Sequence, residues 1–363
     1  MRLLDRPLRT LARSRLVSAA AWPHGIDRFA ELVAPTWASE AVRARVVAVG
    51  HQTVDTVTLR LRPNGNWRGH AAGQHVVLTV AVDGVRHSRC FSVASSAHEP
   101  RDIELTCKAR PTSVVARHLR SVEAGTTVEL SQAQGSFVLP ATPPAAIALL
   151  SAGSGITPVL SMLRTLHDQG HGGEVAFVHY ARTGQDVLYG AEVGALVGRH
   201  QGWRAVTVTE HDSTGDLEGR FDRGHLAAAG IDAGRFEAFV CGPAPFMAAV
   251  AAAWVEAGGA GSRFHTESFG VDAQPSATGG GGRLRFGASG VEVPNDGRPI
   301  LVQAEAAGLT PVHGCRMGIC RTCVVPKASG CVRDAITGKL DTDAGTVVRI
   351  CVSIPDGDVE IDL

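Results

Sequence analysis

The chain has 363 residues, 44% of them are apolar, and its 35 basic and 35 acidic side chains cancel to a formal net charge of zero. This length suggests two or three domains of ordinary size, and the apolar fraction argues against disorder. Charges that cancel do not suggest a surface that binds polyanions such as nucleic acid. We therefore expect a folded, multidomain protein that has no nucleic-acid partner.

The N-terminal segment carries a basic amphipathic pattern. Leu4, Leu8 and Leu11 recur at helical spacing, with arginines on the opposite face. Such a helix either rests on a membrane surface or packs on the protein's own body, and both alternatives stay open. No apolar run approaches the roughly 18 residues that span a bilayer, and a signal-peptide centre is missing. We predict a cytoplasmic protein, with residues 1–20 as the segment that can contact the inner face of the membrane.

The residue patterns divide the chain into five segments. Short alternating strands broken by Gly, Asn and Asp predict an antiparallel β-barrel, and apolar strands alternating with helices predict an α/β, Rossmann-like domain. A Gly-rich run predicts a flexible linker, and the last segment holds five of the eight cysteines. The predicted segments are an extension (1–41), the barrel (42–141), the Rossmann-like domain (142–271), the linker (272–282) and the cysteine-rich domain (283–363).

The cysteines of the last segment have the spacing of metal ligands. Cys315, Cys320 and Cys323 form a C-x4-C-x2-C pattern, and Cys351 follows near the end of the chain. This is the ligand pattern of plant-type [2Fe–2S] clusters. Zinc is the alternative, but zinc sites usually pair two C-x2-C units, and the sequence has one such unit here. We predict that these four cysteines bind a [2Fe–2S] cluster and that Cys331 does not.

This segment resembles a plant-type ferredoxin domain. Cys351 stands in a predicted late strand, and an acidic stretch follows it. The resemblance implies a β-grasp fold. The predicted fold class is therefore multidomain, with an antiparallel β-barrel, an α/β Rossmann-like domain and a β-grasp domain.

A strand of the barrel segment carries a flavin motif. Arg89-Cys90-Phe91-Ser92 resembles the Arg-x-Tyr-Ser strand of the ferredoxin–NADP reductase family, with Phe91 where Tyr is usual. The resemblance implies that Arg89 neutralises a flavin phosphate, that Phe91 packs along the isoalloxazine ring and that Ser92 bonds near its reactive nitrogen.

A second segment occupies the place of the family's other flavin contact. Val114-Val115-Ala116 has Ala116 where the family typically has Ser, so one hydroxyl contact with a phosphate is missing. Backbone amides at a helix N-terminus can still bind the pyrophosphate. FAD is the predicted flavin, and FMN is the alternative.

The Rossmann-like segment carries two nicotinamide motifs. Gly153-Ser154-Gly155 follows a predicted buried strand and leads into a helix, where glycines let the backbone approach a pyrophosphate. With Thr157 it matches the family's Gly-x-Gly-Ile-Thr-Pro pattern, and Cys241-Gly242-Pro243 matches Cys-Gly-Pro. The resemblance implies that Thr157 and Cys241 lie beside the nicotinamide ring.

Further residues bear on the choice of cofactor and on catalysis. Arg182 ends a predicted strand and no acid precedes it there, which favours NADPH over NADH, although Asp186 is close. The stretch at 265–270 resembles the family's closing segment and implies that Glu267 and Phe269 flank the flavin edge. The residues predicted to be catalytic are Ser92, Cys241 and Glu267.

Together the motifs imply an enzyme that moves electrons from NADPH through a flavin to the cluster. Nicotinamides give up two electrons together and the cluster takes one at a time, so the flavin is the converter. No haem, Rieske or di-iron motif is evident, so we expect a separate protein acceptor. Segments at 22–29, 35–37 and 66–70 resemble reductase partners of membrane acyl desaturases, the predicted acceptor. A soluble oxygenase is the alternative acceptor, and redox sensing is a third hypothesis.

Overall fold

The structure is a computed structural model in which the contacts divide the chain into two units, 1–267 and 268–363. It describes residues 26–31, 34–109, 113–267, 269, 281–314, 316, 318 and 321–363.

The first unit begins with a six-stranded antiparallel sheet that encloses an apolar core. The strand order is β4-β3-β6-β1-β2-β5. Asp83 and Gly84 both have positive φ in the tight turn between β3 and β4, as Asp-Gly hairpins require. The predicted barrel architecture is confirmed. Its elements are α1 (Ile26–Glu31), β1 (Val42–Thr53), β2 (Thr56–Pro63), β3 (His75–Val82), β4 (Val85–Ser92), β5 (Ile103–Lys108), α2 (Val114–Leu119) and β6 (Thr127–Leu130).

The second half of this unit is an α/β domain with a parallel sheet, as predicted. The strand order is β10-β9-β8-β7-β11-β12. The central strand β7 is buried at all positions but its last, because the sheet is covered on both faces. Its elements are β7 (Ala146–Ala152), α3 (Ile156–Asp168), β8 (Glu174–Ala181), α4 (Gly190–Val197), β9 (Trp203–Thr209), β10 (Leu217–Glu218), α5 (Gly224–Ala228), β11 (Glu237–Cys241), α6 (Ala244–Glu256) and β12 (Phe264–Glu267), with 3-10 turns at Gly153–Gly155, Gly184–Asp186 and Gly261–Arg263.

A polar seam joins the barrel to the α/β domain. Arg164 on α3 donates to Glu104 on β5 at 2.9 Å, to the Ala94 carbonyl at 2.8 Å and to Glu192 on α4 at 2.6 Å. Burial alone lowers the pKa of Arg164, but its hydrogen bond to Glu192 and the charge of Glu104 raise it above the ordinary value. Tyr189 precedes α4 with a φ of 57° and donates its hydroxyl to Glu104 at 3.0 Å. Charge pairing therefore holds the two domains together.

The second unit is a mixed sheet packed on one helix, which confirms the predicted ferredoxin-type fold. The order is β14-β13-β18-β15-β16, and β17 pairs with β15. Leu284, Phe286, Ile300 and Leu301 lie in its core. Its elements are β13 (Arg283–Phe286), β14 (Val291–Pro294), α7 (Ile300–Ala306), β15 (Val324–Asp334), β16 (Leu340–Asp341), β17 (Val347–Arg349) and β18 (Ser353–Ile361).

Two predicted segments lie outside the described residues. They are the amphipathic segment 1–20 and, except for its last two residues, the linker 272–282. Among the helices that are described, none combines the length and the apolar character needed to cross a lipid bilayer.

We predict that Arg164→Met lowers the free energy of unfolding of the first unit by about 3 kcal/mol, because Glu104 and Glu192 then share the seam without a cation. The exposed pair between Arg86 and Glu129, at 2.9 Å, provides the matched control. Arg86→Met should cost less than about 0.5 kcal/mol. Urea denaturation of both variants measures the difference, and equal shifts of the midpoint would contradict the role given to the seam.

Candidate functional site

Two glycine motifs meet where β7 and β11 end. These strands are neighbours in the sheet. After β7 the chain adds β8, β9 and β10 on one side, and β11 then lies on the other side of β7, so the strand order switches here. A Cβ on Gly155 would lie 2.2 Å from the Cys241 carbonyl oxygen, and a Cβ on Gly242 would lie 2.8 Å from the Phe246 ring. Only glycine permits this packing. In open parallel sheets, the crevice at such a switch in strand order is where ligands bind.

Two helices begin at this crevice. α6 starts directly after Pro243, and α3 continues from the 3-10 turn Gly153–Gly155, whose carbonyls accept the Ile156 N–H. No side chain caps either helix. The first N–H groups of a helix have no partner within it, so they are suited to an anion. The start of α6 and the glycine turn that leads into α3 therefore fit the pyrophosphate of a dinucleotide.

Cys241 and Thr157 are buried beside the same crevice. Thr157 is 2% exposed and donates its hydroxyl to the Ser154 carbonyl at 3.2 Å. Burial raises the pKa of Cys241 well above its ordinary value, and the charge of Glu267 raises it further. Cys241 is therefore a neutral thiol at physiological pH and not a reactive thiolate. Its small apolar surface suits a flat nicotinamide ring.

Three buried polar side chains lie together at the edge of the barrel. His75 at the start of β3 directly opposes Ser92 at the end of β4, so the two side chains share one face of the sheet. His75 Nδ1 lies 3.3 Å from Oε1 of Glu267, the last residue of β12. Within the described part of the chain, Ser92 Oγ, His75 Nε2 and Glu267 Oε2 are buried without a hydrogen-bond partner. Buried polar atoms are rarely left unpaired, so this group fits a ligand with a polar ring edge, such as a flavin.

The remaining residues of the flavin strand divide between its two faces. Arg89 and Phe91 alternate along β4 with Cys90 and Ser92. Phe91 packs on the barrel core, and Arg89 Nη1 donates to the Ser88 carbonyl at 2.9 Å. A cofactor that contacts Phe91 and Ser92 together must therefore lie at the end of the strand.

The second predicted flavin segment is the short helix α2. Val115 and Ala116 are buried, and Val114 is half-buried. Ser113 caps the helix, because its hydroxyl accepts a hydrogen bond from the Ala116 N–H at 3.2 Å. The Ala116 N–H is thus already bound, so a pyrophosphate at this helix must use other donors.

Arg182 follows β8 at the same edge of the parallel sheet. Its side chain is 60% exposed and lies 3.1 Å from Asp186 Oδ1. Lys108, at the end of β5 in the barrel, lies 3.6 Å from the same carboxylate oxygen. Asp212 fixes this loop by accepting a hydrogen bond from the Gly184 N–H at 2.9 Å. Arg182 is therefore a solvent-facing cation, and its acidic neighbour Asp186 is shared with Lys108.

Cys323 and Cys351 lie together in the second unit. Their Sγ atoms are 3.1 Å apart, and the Gly318 N–H donates to Cys351 Sγ at 3.3 Å. This separation is too long for a disulfide, whose S–S length is about 2.05 Å, and it lets both sulfurs bind one metal ion. The other predicted ligands, Cys315 and Cys320, lie outside the described residues.

Two arginines brace the loop beside these cysteines. Arg316 has a φ of 59° and donates to Glu305 on α7 at 2.9 Å. Arg349 donates to the Gly318 carbonyl at 2.6 Å and pairs with Asp334. Both contacts fix the backbone that supplies an N–H to sulfur, and such bonds tune the potential of iron–sulfur clusters.

Family models match the chain in three parts. The oxidoreductase FAD-binding domain matches residues 44–139, the oxidoreductase NAD-binding domain matches 149–252, and the 2Fe-2S iron-sulfur cluster binding domain matches 287–356. The chain belongs to the ferredoxin–NADP reductase family, with a [2Fe–2S] ferredoxin domain fused to it. It is an oxidoreductase that transfers electrons from NAD(P)H through FAD to a [2Fe–2S] cluster.

Two relatives and one solved structure illustrate the similarity. An NADPH oxidoreductase of Mycobacterium tuberculosis is 37% identical over 343 residues, which cover 93% of this chain and 88% of the relative. The glycine betaine monooxygenase reductase subunit of Chromohalobacter salexigens is 30% identical over 323 residues, 80% of this chain and 86% of the relative. The crystal structure of phthalate dioxygenase reductase covers 89% of this chain and 98% of its own, with a TM-score of 0.60 at 22% identity.

The cofactors of this reductase fit the residues described above. FAD supplies the exchange between two-electron and one-electron transfer when it is bound. Ser92, His75 and Glu267 offer polar atoms to a flavin ring, and the start of α6 and the glycine turn that leads into α3 offer N–H groups to phosphates. Cys323 and Cys351 offer two thiolates to the cluster.

His75 is the site residue that sequence reasoning missed. It stands in the alternating run His75–Val82, and the run predicted only a strand. Its partner Glu267 lies 192 residues away in the chain, so no local pattern joins them. The available signal was a histidine at the start of a strand whose other residues, apart from Thr79, are apolar.

We predict that Cys351→Ala abolishes the [2Fe–2S] absorbance and the bound iron while FAD content stays unchanged, because the flavin is held by the other unit. Cys331→Ala is the matched control in the same domain and should keep its iron. Iron analysis and visible spectra of the purified proteins test this. A full iron content in Cys351→Ala, or its loss in Cys331→Ala, would contradict the ligand set.

Proposed function

We propose that this protein is the NADPH-dependent reductase of a separate oxygenase. The observation that carries the proposal is the combination, in one chain, of the flavin and nicotinamide crevice with paired cluster cysteines. The name of the Chromohalobacter relative, a reductase subunit of a monooxygenase, supports an oxygenase as the acceptor.

The desaturase prediction rests on segments whose contacts have a structural explanation. Asn66 Nδ2 donates to the carbonyls of Ala38 and Ala41, both at 2.9 Å, and Asn64 Nδ2 donates to the Thr36 carbonyl at 2.9 Å. The segment at 66–70 and its neighbour therefore hold the chain at 35–41 against the barrel. Holding this part of the chain in place is needed whichever protein accepts the electrons. The resemblance of these segments to desaturase reductases therefore does not favour a desaturase. Of the segment at 22–29, residues 22–25 lie outside the described residues, and the rest belongs to α1.

An acceptor assay on fractionated cells of the source organism distinguishes the two partners. We expect the soluble fraction to increase oxygen-dependent NADPH oxidation by the purified protein at least several-fold, and we expect Cys351→Ala to lose that increase. Stimulation by the membrane fraction with acyl-CoA, and none by the soluble fraction, would overturn the oxygenase proposal in favour of a desaturase. Stimulation by neither fraction would leave redox sensing as the better hypothesis and would also count against the proposal.

The choice of NADPH rests on Arg182. An arginine at the end of the second strand of such a sheet accommodates the extra phosphate of NADPH. Its neighbour Asp186 also pairs with Lys108, which lessens the negative charge that would repel that phosphate. The name of the Mycobacterium relative, an NADPH oxidoreductase, is in line with this choice.

We predict that Arg182→Gln raises KM for NADPH by about 10-fold or more and leaves KM for NADH within about twofold, because a charge-assisted hydrogen bond to phosphate contributes about 1.5–3 kcal/mol. Arg86→Gln, an exposed arginine of the barrel, is the control and should change neither value. Steady-state kinetics with ferricyanide measure both constants. Equal changes with the two nicotinamides would contradict the assignment.

A further inference from the structure

A glycine beside the cluster cysteines is held on both sides by one short segment. The Gly318 N–H donates to Cys351 Sγ at 3.3 Å, and the Gly318 carbonyl accepts a hydrogen bond from Arg349 Nη1 at 2.6 Å. Gly318 has a φ of 71°, and a Cβ there would lie 2.9 Å from the Val352 side chain. The segment 349–352 therefore fixes both peptide groups of Gly318, one of them through the sulfur of a predicted cluster ligand.

Backbone pairing ties this segment to the second cysteine. Arg349 ends β17 and directly opposes Val324, the residue after Cys323, on β15. The Ile350 N–H donates to the Cys323 carbonyl at 3.1 Å. The same backbone contacts that place Cys323 and Cys351 together therefore also place Arg349 beside them.

Arg349 pairs with a carboxylate that a turn holds in place. Its partner is Asp334 at the end of β15, and the two side chains are 33% and 20% exposed. Asp334 Oδ1 also accepts hydrogen bonds from the N–H groups of Ile336 at 3.0 Å and Thr337 at 2.9 Å. Burial raises the pKa of Asp334, but these N–H groups and the charge of Arg349 lower it below its ordinary value. Asp334 is therefore a charged group with a fixed position.

We propose that Arg349 and Asp334 set the reduction potential of the cluster in opposite directions, and that Arg349 makes the cluster easier to reduce. One electron and no proton enters the [2Fe–2S] cluster on reduction, so the negative charge at the site increases by one. A cation near the sulfurs stabilises the reduced form, and an anion stabilises the oxidised form. Arg349 is also a positioning residue, because it holds the Gly318 peptide beside Cys351. The inference goes beyond the proposed function, since it holds whichever protein accepts the electrons.

The test is a redox titration of the cluster in the purified, cluster-loaded protein at constant pH, followed by electron paramagnetic resonance. We expect Arg349→Met to lower the midpoint potential. At a given potential, the ratio of reduced to oxidised cluster should fall about tenfold, a shift of about 59 mV for a one-electron couple. Asp334→Asn keeps an oxygen for the two N–H groups and should raise the midpoint potential. The double variant should lie between the two single variants, and the midpoint potential of the flavin should stay unchanged in all three.

Arg333→Met is the matched control. Arg333 precedes Asp334 on β15, so its side chain lies on the opposite face of the strand, where it pairs with Asp356 on β18 at 2.7 Å. Its side chain is 29% exposed, which is close to the value for Arg349, and the variant loses the same charge. The ratio of reduced to oxidised cluster should stay within about twofold of wild type, because a charge farther from the sulfurs is screened by solvent.

Two results would overturn the inference. One is an equal shift of the midpoint potential in Arg349→Met and Arg333→Met. The other is an unchanged or lowered midpoint potential in Asp334→Asn. The second result decides alone if iron analysis shows that Arg349→Met does not retain its cluster.

Discussion

The arrangement of the whole reductase unit depends on the charge-paired seam between the barrel and the parallel sheet. Arg164 lies between carboxylates from both sides, Glu104 in the barrel and Glu192 in the nicotinamide domain. Because this buried cation needs both partners, the two domains have one preferred way to pack. That packing brings the end of β4 opposite the end of β12, where His75 meets Glu267. The flavin edge and the nicotinamide crevice therefore share one buried region.

Sites whose residues must lie at fixed spacings could be predicted from the sequence. Three of the predicted cluster ligands, Cys315, Cys320 and Cys323, come from one short loop, and a phosphate-binding turn needs glycines where Gly155 packs against Cys241. These requirements leave marks at fixed offsets in the chain. The patterns of strands and helices predicted the barrel and the Rossmann-like domain, and the resemblance to plant-type ferredoxins predicted the third fold. Contacts between distant segments leave no such mark. The pairing of His75 with Glu267 and the bond from Asn66 to Ala38 depend on tertiary packing, so the sequence did not predict them.

Different residues serve the nicotinamide site and the cluster site. Cys241 is held neutral by burial, so it offers shape to the nicotinamide and not charge. The pair of His75 and Glu267 beside it takes one residue from each domain, so this contact forms only when the two domains are packed together. Cys323 and Cys351 belong to the second unit, where they would hold the cluster that accepts electrons one at a time. Hydrogen bonds such as that from the Gly318 N–H to Cys351 Sγ would tune the reduction potential of that cluster.

The most direct test of the account is an anaerobic titration of the purified protein with NADPH, followed by visible absorbance and electron paramagnetic resonance. The account predicts that the flavin absorbance bleaches and that the signal of a reduced [2Fe–2S] cluster then appears. It also predicts that NADH reaches the same end point only at higher concentration. Bleaching of the flavin without the cluster signal would contradict the central claim that electrons pass from the nicotinamide through FAD to the ferredoxin domain.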